Sequence, residues 1–293
     1  MATFVILFSF LAFFIISAVV AIPLFGMESF SSIVNSSVSM DENNIPFLKY
    51  IQVVQSIGLF IIPSLILAYL FGGQISEYLK TNKTPQLRSA IVAIAIILVS
   101  SPMINMLAEL NSKLALPEFL SGLENWMRSS EDSANEITQL FLKTDSIWGL
   151  LFNIFMIGII PAIGEELLFR GIIQRIFTDW TKNYHWGIWI SAILFSALHL
   201  QFYGFIPRAI LGAIFGYMLV WSGNLWFPII AHFVNNSTAV IAYYLYNGGT
   251  ISVDPDKIGT GSEYQIAGII STIIVAVLFW NFYKLERKQS HIF

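Results

Sequence analysis

The sequence predicts an all-α fold: a polytopic bundle of about eight transmembrane helices enclosing a polar intramembrane cavity. Three observations predict it. Of 293 residues, 56% are hydrophobic and 11% charged, with a mean hydropathy of +0.71. A soluble domain carries roughly 25% charged residues, and apolar surface in this excess must end in a core or in lipid. The apolar runs also reach the length of about 20 residues that a spanning helix needs. Finally, the polar residues that interrupt them include Glu, His and Asn, groups able to do chemistry.

The spans are read, in order, at 3–25, 50–71, 89–106, 147–163, 187–201, 207–222, 225–246 and 264–283. The first lacks the basic n-region of a signal peptide and is long for one, so it is read as a span. Pro63, Pro102, Pro161 and Pro228 fall in or beside spans. Proline is tolerated there when neighbours satisfy the carbonyl it frees. The polar stretch 107–145 has apolar residues at helical spacing and reads as an outer loop with short interfacial helices. Trp186, Trp189, Trp221 and Trp226, near span ends, read as interfacial anchors. Residues 1–293 form one membrane domain, with no internal repeat.

Charge placement sets the orientation. Lys80, Lys83 and Arg88, then Arg170, Arg175 and Lys182, then Lys284, Arg287 and Lys288 mark one side. Glu28, Asp41 and Glu42, the acidic residues Glu109–Glu136, and Asp254, Asp256 and Glu263 mark the other. Both termini are therefore expected in the cytoplasm, in a plasma or inner membrane. Arg208 is a cation on the outer side and a functional candidate. The net charge of −3 and the lack of a basic, aromatic-interleaved patch argue against nucleic acid. The absence of cysteine excludes disulfides and thiolate metal sites.

Three clusters sit where a charge at the centre of a span costs about 2.5–3.5 kcal/mol. In the first, Glu165 and Glu166 point about 100° apart on a helix. Arg170 lies one turn after Glu166 and can pair with it. Glu165 is left as the carboxylate free to act as a general base. An interfacial helix end with a Glu–Arg clamp explains the same residues. The second is His199 after Phe195, in an uncharged run, where a structural hydrogen bond is the plain alternative. The third is His232-Phe-Val-Asn235-Asn236. His232 and Asn236 share a face and could donate to one oxyanion; interhelical hydrogen bonding is the plain alternative. His185 and His291 fall outside the spans. Gly212 and Gly216 form a small-residue face, for close helix packing or a dimer contact.

The ordered set Glu165-Glu166-Leu-Leu-Phe-Arg170, Phe195-Ser-Ala-Leu-His199 and His232-Phe-Val-Asn-Asn236 resembles the motifs of the CAAX-protease and bacteriocin-processing family, the type II CAAX prenyl endopeptidases. The likeness covers roughly residues 147–246. It implies an intramembrane endopeptidase acting on a membrane-associated peptide or protein, in a cavity open to the cytoplasm. Glu165 and His199 would activate water, and His232 and Asn236 would hold the oxyanion. Glu166 and Arg170 would support the site, with Phe195 packed beside His199. A metal-free mechanism is expected, with no cofactor; Zn²⁺ on Glu165, His199 and His232 is the alternative. A non-enzymatic adaptor or bacteriocin-immunity protein of the same fold is the second functional reading. A proton-coupled transporter would call for related halves, which are not visible. No serine- or aspartate-type intramembrane protease motif occurs.

One conflict is built into these spans. His199 falls late in an outward span and His232 early in another, at different depths. The site closes only if the helix bearing Glu165 runs from Ile147 to about Trp180, bent near Pro161.

Overall fold

Helix follows helix along the chain because long apolar runs must satisfy their backbone groups internally. The computed structural model describes residues 1–28, 31 and 44–290. Its main helices are α1 (Ala2–Phe25), α2 (Ile45–Gly72), α3 (Ile75–Tyr78), α4 (Leu87–Ser112) and α5 (Ser121–Leu142). They continue with α6 (Ile147–Thr181), α7 (Tyr184–Ala197), α8 (Phe205–Ser222), α9 (Trp226–Asn247) and α10 (Gly261–Ser290). No strand occurs among the described residues. Asp41, Glu42 and His291 lie outside them.

Six helices among the described residues, α1, α2, α4, α6, α8 and α10, are long and apolar enough to cross a membrane. The chain is a multi-pass membrane protein. The other two predicted spans are also helical, but they differ from expectation. Helix α7 has 14 residues, about 21 Å at 1.5 Å per residue, short of a hydrocarbon core about 30 Å thick. Helix α9 has 22 residues, and its polar His232, Asn235 and Asn236 keep it out of the apolar class. These two helices carry the second and third motifs.

Proline positions are accommodated as the sequence requires. Pro102 interrupts α4, and Ser271 of α10 enters the opened turn. Its hydroxyl accepts from the Met103 N–H at 3.3 Å and donates to the Val99 carbonyl at 2.5 Å. It thereby bridges two groups that an unbroken helix would pair directly. Helix α6 spans 35 residues, with π-helical turns at Ile154–Ile159 and Leu167–Ile173 on either side of Pro161 and the two glutamates. This is the long helix that closing the site demanded.

Helices α4, α8, α9 and α10 enclose one core, with Ile96, Phe215, Met218, Phe227 and Phe282 buried in it. Leu67, Leu168, Ile172 and Ile229 bind α2, α6 and α9 in a second. The outward faces of α1 (Phe4, Leu7, Phe8, Leu11) and α10 (Ile266, Ile269, Ile273, Val277) are exposed apolar surface suited to lipid. Gly212 and Gly216 are buried inside the chain. A Cβ on Gly212 would lie 3.1 Å from both Ala192 Cβ and an Arg170 guanidinium nitrogen. On Gly216 it would lie 2.7 Å from Gln174 Oε1. The small-residue face therefore serves close packing of α8 within the bundle. Trp221 likewise packs inward, on Phe279 and Tyr283, whereas Trp186 and Trp189 are exposed as anchors should be.

The stretch 107–145 was expected to hold short helices. Instead α4 continues to Ser112 and one 22-residue amphipathic helix, α5, follows. Glu124 fixes its start by accepting from Arg128 at 2.7 Å and from the Leu116 N–H at 3.0 Å. Those bonds hold the Glu124 carboxyl below the usual carboxylate range. The second half of α5 lies over the cavity described next.

Candidate active site

The middle of α6 places two adjacent carboxylates in the bundle interior, and their surroundings separate them. Glu166 is fully buried. Its Oε1 accepts from Arg170 Nη1 at 2.8 Å and lies 2.8 Å from His232 Nδ1. Arg170, 1% exposed, also donates to the Gly212 carbonyl at 3.1 Å. Its guanidinium lies 4.6 Å from the Phe195 ring centre and 5.3 Å from that of Phe215. The Glu–Arg clamp is thus part of a buried junction of α6, α7, α8 and α9, and not an interfacial helix end.

Glu165 receives no such partners. His232 Nε2 lies 3.8 Å from its Oε2, and no hydrogen bond reaches its carboxylate among the described residues. It faces a cavity of about 600 Å³ that His199, His232 and Asn236 also line, within the range of ligand-binding pockets. His232 therefore stands between the two carboxylates. With Nδ1 directed to Glu166, its Nε2 faces Glu165 and the cavity.

His199 lies just past the end of α7, in a turn where Leu200 adopts a left-handed φ of 54°. Its Nδ1–H donates to the Phe195 carbonyl at 2.8 Å, which leaves Nε2 as an acceptor. Phe195 lies between the imidazoles, 4.9 Å from His199 and 6.0 Å from His232, centre to centre, and edge-on to both. The depth conflict disappears because α7 ends at Ala197 and both imidazoles line the one cavity. The turn after it is held from α4: Asn111 Nδ2 donates to the Phe202 carbonyl, and Asn111 Oδ1 accepts from the Ile206 N–H.

Asn236 lines the cavity but has a second task. Its Nδ2 donates to the Ile157 carbonyl at 2.9 Å. Ile157 is four residues before Pro161, so this is the carbonyl that proline leaves without its helical donor. Asn236 keeps one further N–H for the cavity. Asn235 also lines the cavity and donates to Asn236 Oδ1. Sequence reasoning missed that pairing; adjacent helical residues do not ordinarily face one another.

The structure thus brings Glu165, His199, His232 and Asn236 to one cavity, which Phe195 also lines, with Glu166 and Arg170 packed behind it. Zn²⁺ on Glu165, His199 and His232 is the alternative read from the sequence. The Nδ1 bonds of both histidines would suit ligation through Nε2. Among the described residues, however, no three His, Asp or Glu side chains converge as a ligand set. The cavity wall reaches α5. It includes Ala134, Ile137, Thr138 and Phe141 of α5, from the acidic stretch that the charge rule assigns to the outside.

Comparison with known proteins identifies the same region. Residues 140–238 match the family model of the type II CAAX prenyl endopeptidases, Rce1-like, which bears out the resemblance read from the motifs. The uncharacterized protein YpbD of Bacillus subtilis (strain 168) is 33% identical over 86 residues, 28% of this chain and 41% of that protein. YdiL of the same organism, described as "Putative membrane peptidase", is 29% identical over 107 residues, 36% of this chain and 43% of that one. The matches therefore span less than half of these relatives' lengths. No solved structure matches the chain.

Proposed function

We propose that the protein is an intramembrane endopeptidase that hydrolyses a peptide bond in a membrane-associated peptide or protein. The observation that carries this reading is the unequal pairing of the two glutamates: Glu166 takes Arg170 and His232, and Glu165 is left bare in the cavity. A water between Glu165 and His199 Nε2 would lose a proton to Glu165 as its oxygen attacks the scissile carbonyl. Glu165 would then pass that proton to the departing amine. The oxyanion would lie against His232 Nε2 and the remaining Asn236 N–H. As a donor, His232 Nε2 would need a proton of its own, with Glu166 and the oxyanion itself as the counter-charge.

Apolar walls, among them Ile137, Met156, Leu211 and Phe215, suit hydrophobic side chains of an extended substrate. With both termini cytoplasmic, that substrate enters from the outer side, beneath α5. The experiment uses purified protein in detergent, a pool of hydrophobic peptides and ¹⁸O-enriched water. Each new C-terminus should gain one ¹⁸O atom, read by mass spectrometry. Peptides that bind but stay intact would favour the adaptor reading.

A further inference from the structure

We propose that Arg208 binds a carboxylate on the substrate, and so makes the cavity selective for peptides that present one. The inference deepens the peptidase reading and rests on it for the substrate's being a peptide. Among the described residues, Arg208 is the one Lys or Arg on the cavity wall, and Glu165 the one Asp or Glu. Glu131 and Glu165 act electrostatically on Arg208, yet among the described residues neither forms an ion pair with it. Glu131 is engaged elsewhere, accepting from the Tyr203 N–H at 3.0 Å.

The guanidinium is held in place by neutral acceptors. Nη1 donates to the Gln201 carbonyl at 3.2 Å and Nη2 to Gln201 Oε1 at 2.8 Å. Of its five N–H donors, three remain unused among the described residues. The absence of a side chain at Gly204 leaves room for it: a Cβ there would lie 3.0 Å from Nη2. Arg208 also sits in the first turn of α8, where the positive end of the helix dipole disfavours a cation and favours an anion. A partly buried cation that no carboxylate contacts directly is costly in that position unless an anion joins it. A single planar guanidinium matches one carboxylate through two parallel N–H donations. A phosphate dianion would call for a second cation, which this wall does not supply. The carboxylate could be a peptide's C-terminus or an Asp or Glu side chain.

The test compares matched fluorescent hydrophobic peptides: one with a free C-terminus, one amidated, and one amidated with an internal Glu. Binding is measured by fluorescence polarisation to Glu165→Gln protein, so that no turnover is needed, with Arg208 intact, Arg208→Gln or Arg208→Lys. Intact Arg208 should bind one carboxylate peptide about tenfold or more tighter than the neutral one, as expected for a hydrogen bond to a charged group. Arg208→Gln should erase that preference while leaving the neutral peptide's affinity unchanged, and Arg208→Lys should restore part of it. Which peptide gains identifies the source of the carboxylate. Equal affinity for all three peptides, or a uniform loss in Arg208→Gln, would overturn the proposal. A carboxylate preference that depends on Arg208, in protein whose wild type never cleaves, would leave the subsite standing and remove the peptidase reading.

Discussion

Replacing Glu165 by Gln is expected to lower kcat/KM for peptide hydrolysis by about 10²–10⁴, the usual contribution of a positioned general base. Gln keeps the volume and the hydrogen-bonding reach of the side chain but cannot accept the proton from water. The same change should barely alter stability. The Glu165 carboxylate accepts no hydrogen bond among the described residues, and its contact with His232 is 3.8 Å. Thermal unfolding in detergent within a few degrees of wild type, together with collapsed turnover, is the expected pair of results. Retained turnover would transfer the role of base to another group.

Arg170→Met is expected to have the opposite balance, with the largest stability loss of any single change near the site. Removing one member of a buried ion pair typically costs about 3–5 kcal/mol, because the partner is left as an uncompensated charge. Here the partner is Glu166, fully buried, whose Oε1 holds both Arg170 and His232. The change also removes the bond to the Gly212 carbonyl and the cation placed against Phe195 and Phe215. Equilibrium unfolding in mixed micelles should show the loss directly. A change under about 1 kcal/mol, the value of an exposed pair, would mean that the junction is wetter than its burial indicates.

The fold class was legible because lipid imposes so few solutions on an apolar chain. The long α6 was legible for a different reason: no shorter helix could bring Glu165 to the depth of both histidines. The count of spans was harder. Helix α7 reads as a span because the apolar run continues through Leu200, yet the helix stops at Ala197 so that His199 can turn into the cavity. Glu166 and Arg170 were readable as a pair from their spacing. The reach of Glu166 to His232, 66 residues away, could not be read from any local pattern. Asn236 shows the limit of motif reasoning. Its position beside His232 suits an oxyanion donor, but its bond to Ile157 follows from Pro161 on another helix. The roofing by α5 was also hidden, since an amphipathic helix reads the same whether it covers a site or lies on a membrane.

The central claim is a water-filled pocket in the bundle, reached from the side opposite the basic loops. Because the chain contains no cysteine, Glu165→Cys supplies a single thiol at the heart of that pocket. Intact cells expressing it would be treated with a small, positively charged methanethiosulfonate that does not cross membranes. Rapid labelling is the predicted result. A thiol that reacts only after the membrane is opened, or not at all, would contradict the account.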